Sequence, residues 1–355
     1  MNLIEVLNTI RANATTEYQN RIPEATRTNI EDIRALMIDG DNVQIANEFM
    51  STLLNKLVKS VVITKMFSNP LKGLKKGTKP LGDTVEEIYN NFLKGSEYDA
   101  EGTNLLKRNL PDTKTVYHRM NYKQKYKVTV SREALSKAFA SYSALESYIT
   151  NMINTLYNSA ELDEFLNMKE LIKSAFAHNA IKKVEIVDPL ASEANGKELI
   201  KTIKTISGLM VFPSTEFNSY LTAQTTDTEP ITTFSRKNEQ ILILDTATDT
   251  SVSVDVLASL FNMSVAEFND TRKIVIDTFP EIDGGVVRGV LVDEAFFQIF
   301  DDLFTIANFN NGEGLYTNYI LHVWQTLAYS ILVNAVAFVV PTESEASEAS
   351  EASEE

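Results

Sequence analysis

Thr115-Val116-Tyr117-His118-Arg119-Met120-Asn121-Tyr122-Lys123-Gln124-Lys125-Tyr126-Lys127-Val128-Thr129-Val130 alternates between two chemically different faces. Val116, His118, Met120, Tyr122, Tyr126, Val128 and Val130 fall on one face; Arg119, Asn121, Lys123, Lys125, Lys127 and Thr129 fall on the other, with Tyr117 and Gln124 as the breaks. A period of two is the signature of a strand. Read as one strand, the run spans about 50 Å of extended backbone, about three times the usual strand length. A ribbon that long, apolar on one face and basic on the other, is expected to be an arm that lies on another molecule.

Charge around the run supports a partner. From Lys56 to Arg132 there are 16 Lys or Arg against 7 Asp or Glu, a net of +9, whereas the 355-residue chain carries −15, leaving −24 for the rest. A basic segment on an acidic chain suits a homotypic contact in which each arm meets an acidic neighbour. A sequence pI near 4.8 argues against the whole chain coating nucleic acid, since phosphate is repelled over most of the surface. The chain has no cysteine, which excludes disulfides, thiolate catalysis and Cys-ligated metal sites. Met1-Asn2-Leu3-Ile4-Glu5 lacks the basic and apolar regions of a signal peptide. Leu315–Val340 has no charged residue; its Asn, Gln, His, Ser and Thr residues favour buried core over a membrane span.

Outward from the run, Gln44–Val61 has helical spacing, Asn69–Gly82 reads as a Pro- and Gly-broken loop, and Thr84–Phe92 is expected to pair with the long strand across a tip at Gly95–Pro111. Ser143 with Glu146 forms a capping-box pattern. It opens a helix to Ala177 along the stripe Leu145, Ile149, Ile153, Leu156, Ala160, Leu162, Leu166, Ile172 and Phe176, a rod of about 50 Å. Ile181–Val187 reads as a strand leaving this spine. Between Gly196 and Gly312 shorter elements follow: helices at Lys197–Ile206 and Val254–Phe261, strands at Gln240–Leu244, Lys273–Asp277 and Val286–Val292. They describe an inserted α+β lobe. Leu315–Val340 returns as strands or a short helix. After Pro341, Ser-Glu-Ala triplets with six Glu carry too little apolar surface to fold alone and read as a solubilising, disordered acidic tail.

Catalytic chemistry finds no foothold. His118, His178 and His322 lie in three separate elements without ligand-spaced partners, so each reads as a strand, helix-end or core residue. No nucleophile elbow is present. Gly284-Gly285-Val286-Val287-Arg288-Gly289 lacks the order of a phosphate loop and reads as a tight turn before a strand. Carboxylate pairs such as Asp163-Glu164 and Asp293-Glu294 are what 48 acidic residues produce by chance, and neighbours in sequence do not face each other on a helix.

Four blocks carry a resemblance: Asn69-Pro70-Leu71-Lys72 through Lys76-Gly77 and Pro80-Leu81-Gly82 to Thr84–Tyr89; Glu146-Ser147 through Tyr157–Glu161 to Asp163-Glu164; Val254–Ala258 with Phe261-Asn262-Met263; and Gly314-Leu315-Tyr316 with His322–Leu327 and Asn334–Val339. They resemble the major capsid (head) proteins of the small phi-29-like podophages, which share the Hong Kong 97 (HK-97) capsid fold. The resemblance implies an α+β fold: an N-terminal arm at 1–64, an extended β-hairpin loop at 65–131, a peripheral domain at 132–195 and 313–340 around the spine helix 143–177, an axial domain at 196–312, and the tail at 341–355. It implies a structural protein of the virion, assembled in the host cytoplasm, whose many copies form hexamers and pentamers of a head shell, with a scaffolding protein and a portal, that encloses double-stranded DNA without sequence-specific binding. Neither cofactor nor membrane is called for.

Where some relatives carry an immunoglobulin-like domain, this sequence has the Ser-Glu-Ala tail. The lysines of the hairpin show no match to the autocatalytic cross-link of the fold's namesake, so a non-covalent shell is expected. On this reading Lys72, Lys75, Lys76, Arg119, Lys123, Lys125 and Lys127 face the acidic surface of a neighbouring subunit. The alternative is a nucleic-acid-binding protein that stacks bases on Tyr117, Tyr122 and Tyr126 of the basic hairpin.

Overall fold

The computed structural model describes residues 3–29, 67–95, 108–131, 142–223, 227–252 and 273–342 and a few positions between these ranges. Two compact units emerge. The first comprises Met1–Ser68, Lys123–Glu164 and Leu303–Trp324; the second comprises Asn69–Tyr122, Phe165–Asp302 and Gln325–Glu355. The expected helix at Gln44–Val61, the hairpin tip, the helix at Val254–Phe261 and the acidic tail lie largely or wholly outside the described residues.

In the first unit, helices α1 (Leu3–Asn13) and α2 (Thr16–Arg21) follow each other closely. Thr15 caps α2 by accepting a hydrogen bond from the Tyr18 amide. The Arg11 guanidinium donates to the carbonyls of Gln19 and Ile22 at 3.1 and 2.7 Å, occupying acceptors that the end of a helix leaves open. Leu7, Ile10, Tyr18 and Ile22 share a core with Met152, Leu156 and Ala160 of the long helix and with Tyr319, Leu321 and Val323. Strands meet this core edge to edge: in the order of the sheet, β9 (Phe297–Asn311), β10 (Tyr316–Tyr329) and β4 (Tyr122–Ser131) lie side by side. Tyr126, Val128 and Val130 of β4 turn to the core, while Lys123, Lys125, Lys127 and Thr129 are exposed.

The second unit is built on a five-stranded sheet in the order β5 (Lys182–Glu185), β11 (Ala335–Val340), β8 (Val286–Asp293), β6 (Gln240–Asp245) and β7 (Lys273–Ile276). β11 runs parallel to β5 and antiparallel to β8; β6 runs antiparallel to β8 and parallel to β7. Helix α3 (Tyr142–Ala177) supplies Phe165, Met168, Ile172 and Phe176 to one face, against Ile241, Ile243, Val290, Val292 and Ala337. Helix α4 (Glu193–Leu209) lays Leu199, Ile203 and Ile206 on the other face, against Leu242, Leu244, Leu291, Val336 and Phe338. Cover on both faces explains why these strands read as unbroken apolar runs. The sheet takes in β5 and β11 from either side of segment 196–312. At its border Gly284 and Gly285 have φ of +91° and +147°. They form the tight turn expected there, and a Cβ on Gly285 would stand 2.3 Å from the Val340 carbonyl oxygen.

Several sequence expectations need correction. Thr115–Val130 is two strands: β3 (Thr113–His118) pairs antiparallel with β2 (Val85–Asn90), and β4 joins the other sheet. The break falls at Asn121, whose side chain takes the place of a backbone partner: Nδ2 donates to the Leu327 carbonyl at 2.8 Å and Oδ1 accepts from the Leu327 amide at 2.9 Å. Asn69–Gly82 is more than a loop. It holds a 3-10 turn at Pro70–Leu74, capped by Asn69, and a short strand β1 (Lys75–Thr78) that pairs in parallel with the start of β9. The spine helix exists at the expected length, but Leu162 and Leu166 are 46% and 50% exposed; Phe165, Met168 and Leu171 form the buried stripe instead. Strand β9, the longest in the molecule among the described residues, had no counterpart in the sequence reading.

Candidate subunit-contact surfaces

The seven predicted contact residues fall into separate groups. Lys123, Lys125 and Lys127 stand in a row on β4, on the sheet face turned away from the core of the first unit. The Lys123 ammonium sits 4.7 Å from the centroid of the Trp324 ring, a cation–π contact that pins one end of the row. Thr129 closes the other end with a 2.6 Å hydrogen bond to the Asn318 side-chain oxygen. Lys125 and Lys127 project from the same exposed face.

Lys72, Lys75 and Lys76 cluster in the second unit at the 3-10 turn and β1. Lys75 is bound to its own chain through Asp301 at 2.7 Å, and Lys76 donates to the Glu294 carbonyl at 2.5 Å. Arg119 is exposed in the connection after β3. A lysine of the same segment, outside the seven, is buried: Lys79 lies 3.0 Å from Oδ1 of Asp302, with side chains 7% and 0% exposed. That contact is an ion pair without hydrogen-bond alignment, and Thr326 supplies the hydrogen bond to Oδ2 at 2.8 Å.

The β2–β3 hairpin rests on its own unit. Tyr89 and Val116 pack on Tyr220, Ile231 and Leu332, and the Tyr89 hydroxyl donates to the Thr232 carbonyl. Lys114 bridges Asp112 at 2.9 Å and Asp227 at 2.7 Å, and Tyr220 donates to Asp227 at 2.8 Å. Hydrogen bonds from Lys114, then Tyr220, hold the Asp227 carboxyl below the usual carboxylate range; Lys114 does the same to Asp112. At the root, buried His118 meets Glu87 at 3.0 Å, and the Ser330 hydroxyl donates to the same carboxylate at 2.5 Å. This places His118 as a strand residue tied to the core; His178 ends α3 with Nδ1 2.8 Å from the Ser174 carbonyl. Facing outward, Ile88 and Tyr117 are 58% and 60% exposed.

Among the described residues no group of three or more His, Asp or Glu could hold a metal ion. Nor is any described helix long and apolar enough to cross a membrane. The surfaces can bind protein through charge, aromatic faces and sheet edges.

A chain in the capsid structure of Staphylococcus phage Andhra superposes with a TM-score of 0.63 at 14% identity, covering 79% of this chain and 86% of that one. A chain in the structure of the head fibre and inner core protein of bacteriophage P68 gives 0.57 at 13%, covering 78% and 86%. The fold is that of the HK-97-like phage capsids. A family profile described as Phi29-like phage major capsid protein matches residues 7–339. The major capsid proteins of Bacillus phages PZA and B103 are 34% and 33% identical over 339 residues, 94% of this chain and 72% of each relative. The chain belongs to the phi29-like phage major capsid protein family, and it is a structural protein of the virion shell. That membership favours the shell over the nucleic-acid-binding reading of the basic hairpin.

Proposed function

We propose that many copies of this chain assemble, with a scaffolding protein and a portal, into a closed head around double-stranded DNA, and that the basic residues of segment 65–131 are an adhesive surface of each subunit. The observation that carries the contact is the exposed row Lys123, Lys125, Lys127 on a chain of net charge −15. Scaffold, portal and DNA rest on the family alone. Lys72, Lys76 and Arg119 extend the basic surface, and Lys75 contributes when its bond to Asp301 exchanges for an acidic group of the next subunit. Each exposed pair is worth only about 0–1 kcal/mol, yet a closed shell repeats it in every subunit, and weak repeated contacts let misplaced subunits leave. The function is binding among copies, with no catalytic step.

In the names of the fold, residues 1–64 form the N-terminal arm, 65–131 the extended loop, 132–195 with 313–340 the peripheral domain, and 196–312 the axial domain, with β5 and β11 completing the axial sheet. The acidic 341–355 segment keeps copies apart until the basic surface is met. The test is electron microscopy of the chain co-expressed with its scaffolding protein. Lys123→Glu/Lys125→Glu/Lys127→Glu is expected to remain soluble and to yield no shells where the unaltered chain does. Normal particles from the triple variant would refute the basic contact.

A further inference from the structure

Among the described residues, the outer edge of β9 carries no partner strand beyond Asp301. β1 pairs with β9 only as far as Asp301, and among the described residues no strand follows on that side for 303–311, since β9 has β10 as its other neighbour. Leu303-Phe304-Thr305-Ile306-Ala307-Asn308-Phe309-Asn310-Asn311 contains no charge, no Pro and no Gly. Thr305, Ala307, Asn308 and Asn310 are exposed, and Phe304 and Phe309 are 45% and 65% exposed. One face is already used, with Ile306 on the core of the first unit and the Phe304 ring 6.2 Å from that of Tyr157. Such an edge presents a row of backbone donors and acceptors to any passing strand, and soluble proteins block it with lysine, proline or a bulge. Every other described edge strand of this chain follows that rule, with lysines in β1, β3, β4, β5 and β7 and glutamates in β2.

We propose that residues 303–311 of β9 pair, antiparallel and across a two-fold axis, with the same residues of a second copy. The inference rests on the shell-forming reading above and adds to it a homotypic contact distinct from the basic one. Two-fold self-pairing sets each residue against its own kind or its mirror position: Ala307 opposite Ala307, Thr305 opposite Phe309, Leu303 opposite Asn311. Any charge would then meet a like charge at close range, so a charge-free edge is what self-pairing requires. The charged edges of the same chain are excluded as partners because their lysines would be set against a strand with no carboxylate. Parallel stacking would leave a new edge open on each copy and run on without closing, whereas the antiparallel pair satisfies both edges at once. Nine residues give a ladder of about 30 Å.

A chain without cysteine allows a direct test. Thr305→Cys, Ala307→Cys and Phe309→Cys are made singly in the full chain, co-expressed with scaffold, and the purified particles are oxidised and run on a non-reducing gel. The expected result is a disulfide-linked dimer from at least one variant, strongest at the residue nearest the axis, and absent from unassembled subunits. Monomer from all three in normal particles overturns the edge pairing and leaves the shell reading standing; a dimer equally strong in unassembled subunits also overturns it, and an unaltered chain that forms no particles overturns both. A second pair of variants guards against a folding artefact. Ala307→Lys and Ala307→Glu are each expected to lower particle yield at least about tenfold, through like charges placed face to face, and co-expression of the two is expected to restore it. Undiminished yield from each alone, or no recovery in the mixture, overturns the proposal.

Discussion

In the five-stranded sheet of the second unit, β6 and β11 are buried along almost their whole length and lie between two helices, so their apolar residues are spent inside one subunit. The strands of the first unit behave otherwise. β4 and the distal half of β9 bury one face each, leaving lysines on the exposed face of β4 and the rings of Phe304 and Phe309 partly exposed on β9. The same strand chemistry thus serves cohesion within a copy in one place and, on the proposal above, recognition between copies in the other. The difference lies in whether helices cover both sides. Substitutions in the two sheets should accordingly separate: those in the second unit change folding stability, and those at the edges of the first change assembly.

Phe338→Ala should have the largest effect on stability. The ring is 0% exposed between α4 and the sheet, and its removal should cost about 3–5 kcal/mol in denaturant titration of the unassembled subunit. Next is Lys79→Met, which leaves the buried Asp302 carboxylate without its counter-charge; a loss of about 3 kcal/mol is expected, and a neutral result would show that Thr326 alone satisfies the carboxylate. A pH dependence sharpens the contrast. Asp227 and Asp112 have lowered folded pKa values, so their contribution to holding the hairpin is complete above the unfolded carboxylate value near 4 and is lost as pH falls through the lower folded value. Amide exchange in β2 and β3 should speed up below about pH 4 relative to residues 303–311 of β9, which hold no titratable side chain. The smallest effect belongs to the edges: Lys125→Gln and Phe309→Ser should alter subunit stability by less than about 0.5 kcal/mol while lowering the yield of shells. A large stability loss from either would erase the distinction between the two sheets.

Much of this architecture was legible because burial on both faces, or on one, leaves a period in the sequence. The runs at Gln240, Lys273 and Val286 read as strands, Leu315–Val340 read as strands or a short helix, the α3 helix read to its last turn, and alternation from Val116 to Val130 identified which residues face inward. What alternation could not show was that the run changes sheets at Asn121, because the side chain's partner is a backbone 206 residues away. Leu162 and Leu166 obey helical spacing yet lie beside the true stripe; a long helix offers neighbouring rows of apolar residues, and only the partner surface decides between them. β9 escaped because its first half is buried on both faces, its middle holds Asp301 and Asp302, and its end is exposed, so no single period runs through it. Of the residues expected at subunit contacts, Lys123, Lys125 and Lys127 share one exposed face of β4, as their alternation indicated. The sequence could not show that Lys75 and Lys76 are held within their own chain, since both partners come from a segment more than 200 residues on.

Asn121 carries a last consequence, for how the sequence can drift. Its amide grips the main chain of position 327, which every residue except proline offers in the same form, so the grip places almost no demand on the identity of Leu327; that side chain answers only to the core around it. The constraint runs one way. Position 121 must keep a short carboxamide that both gives and takes a hydrogen bond, whereas its partner is free to vary with its packing, and a comparison of relatives should find the two positions changing independently although they touch.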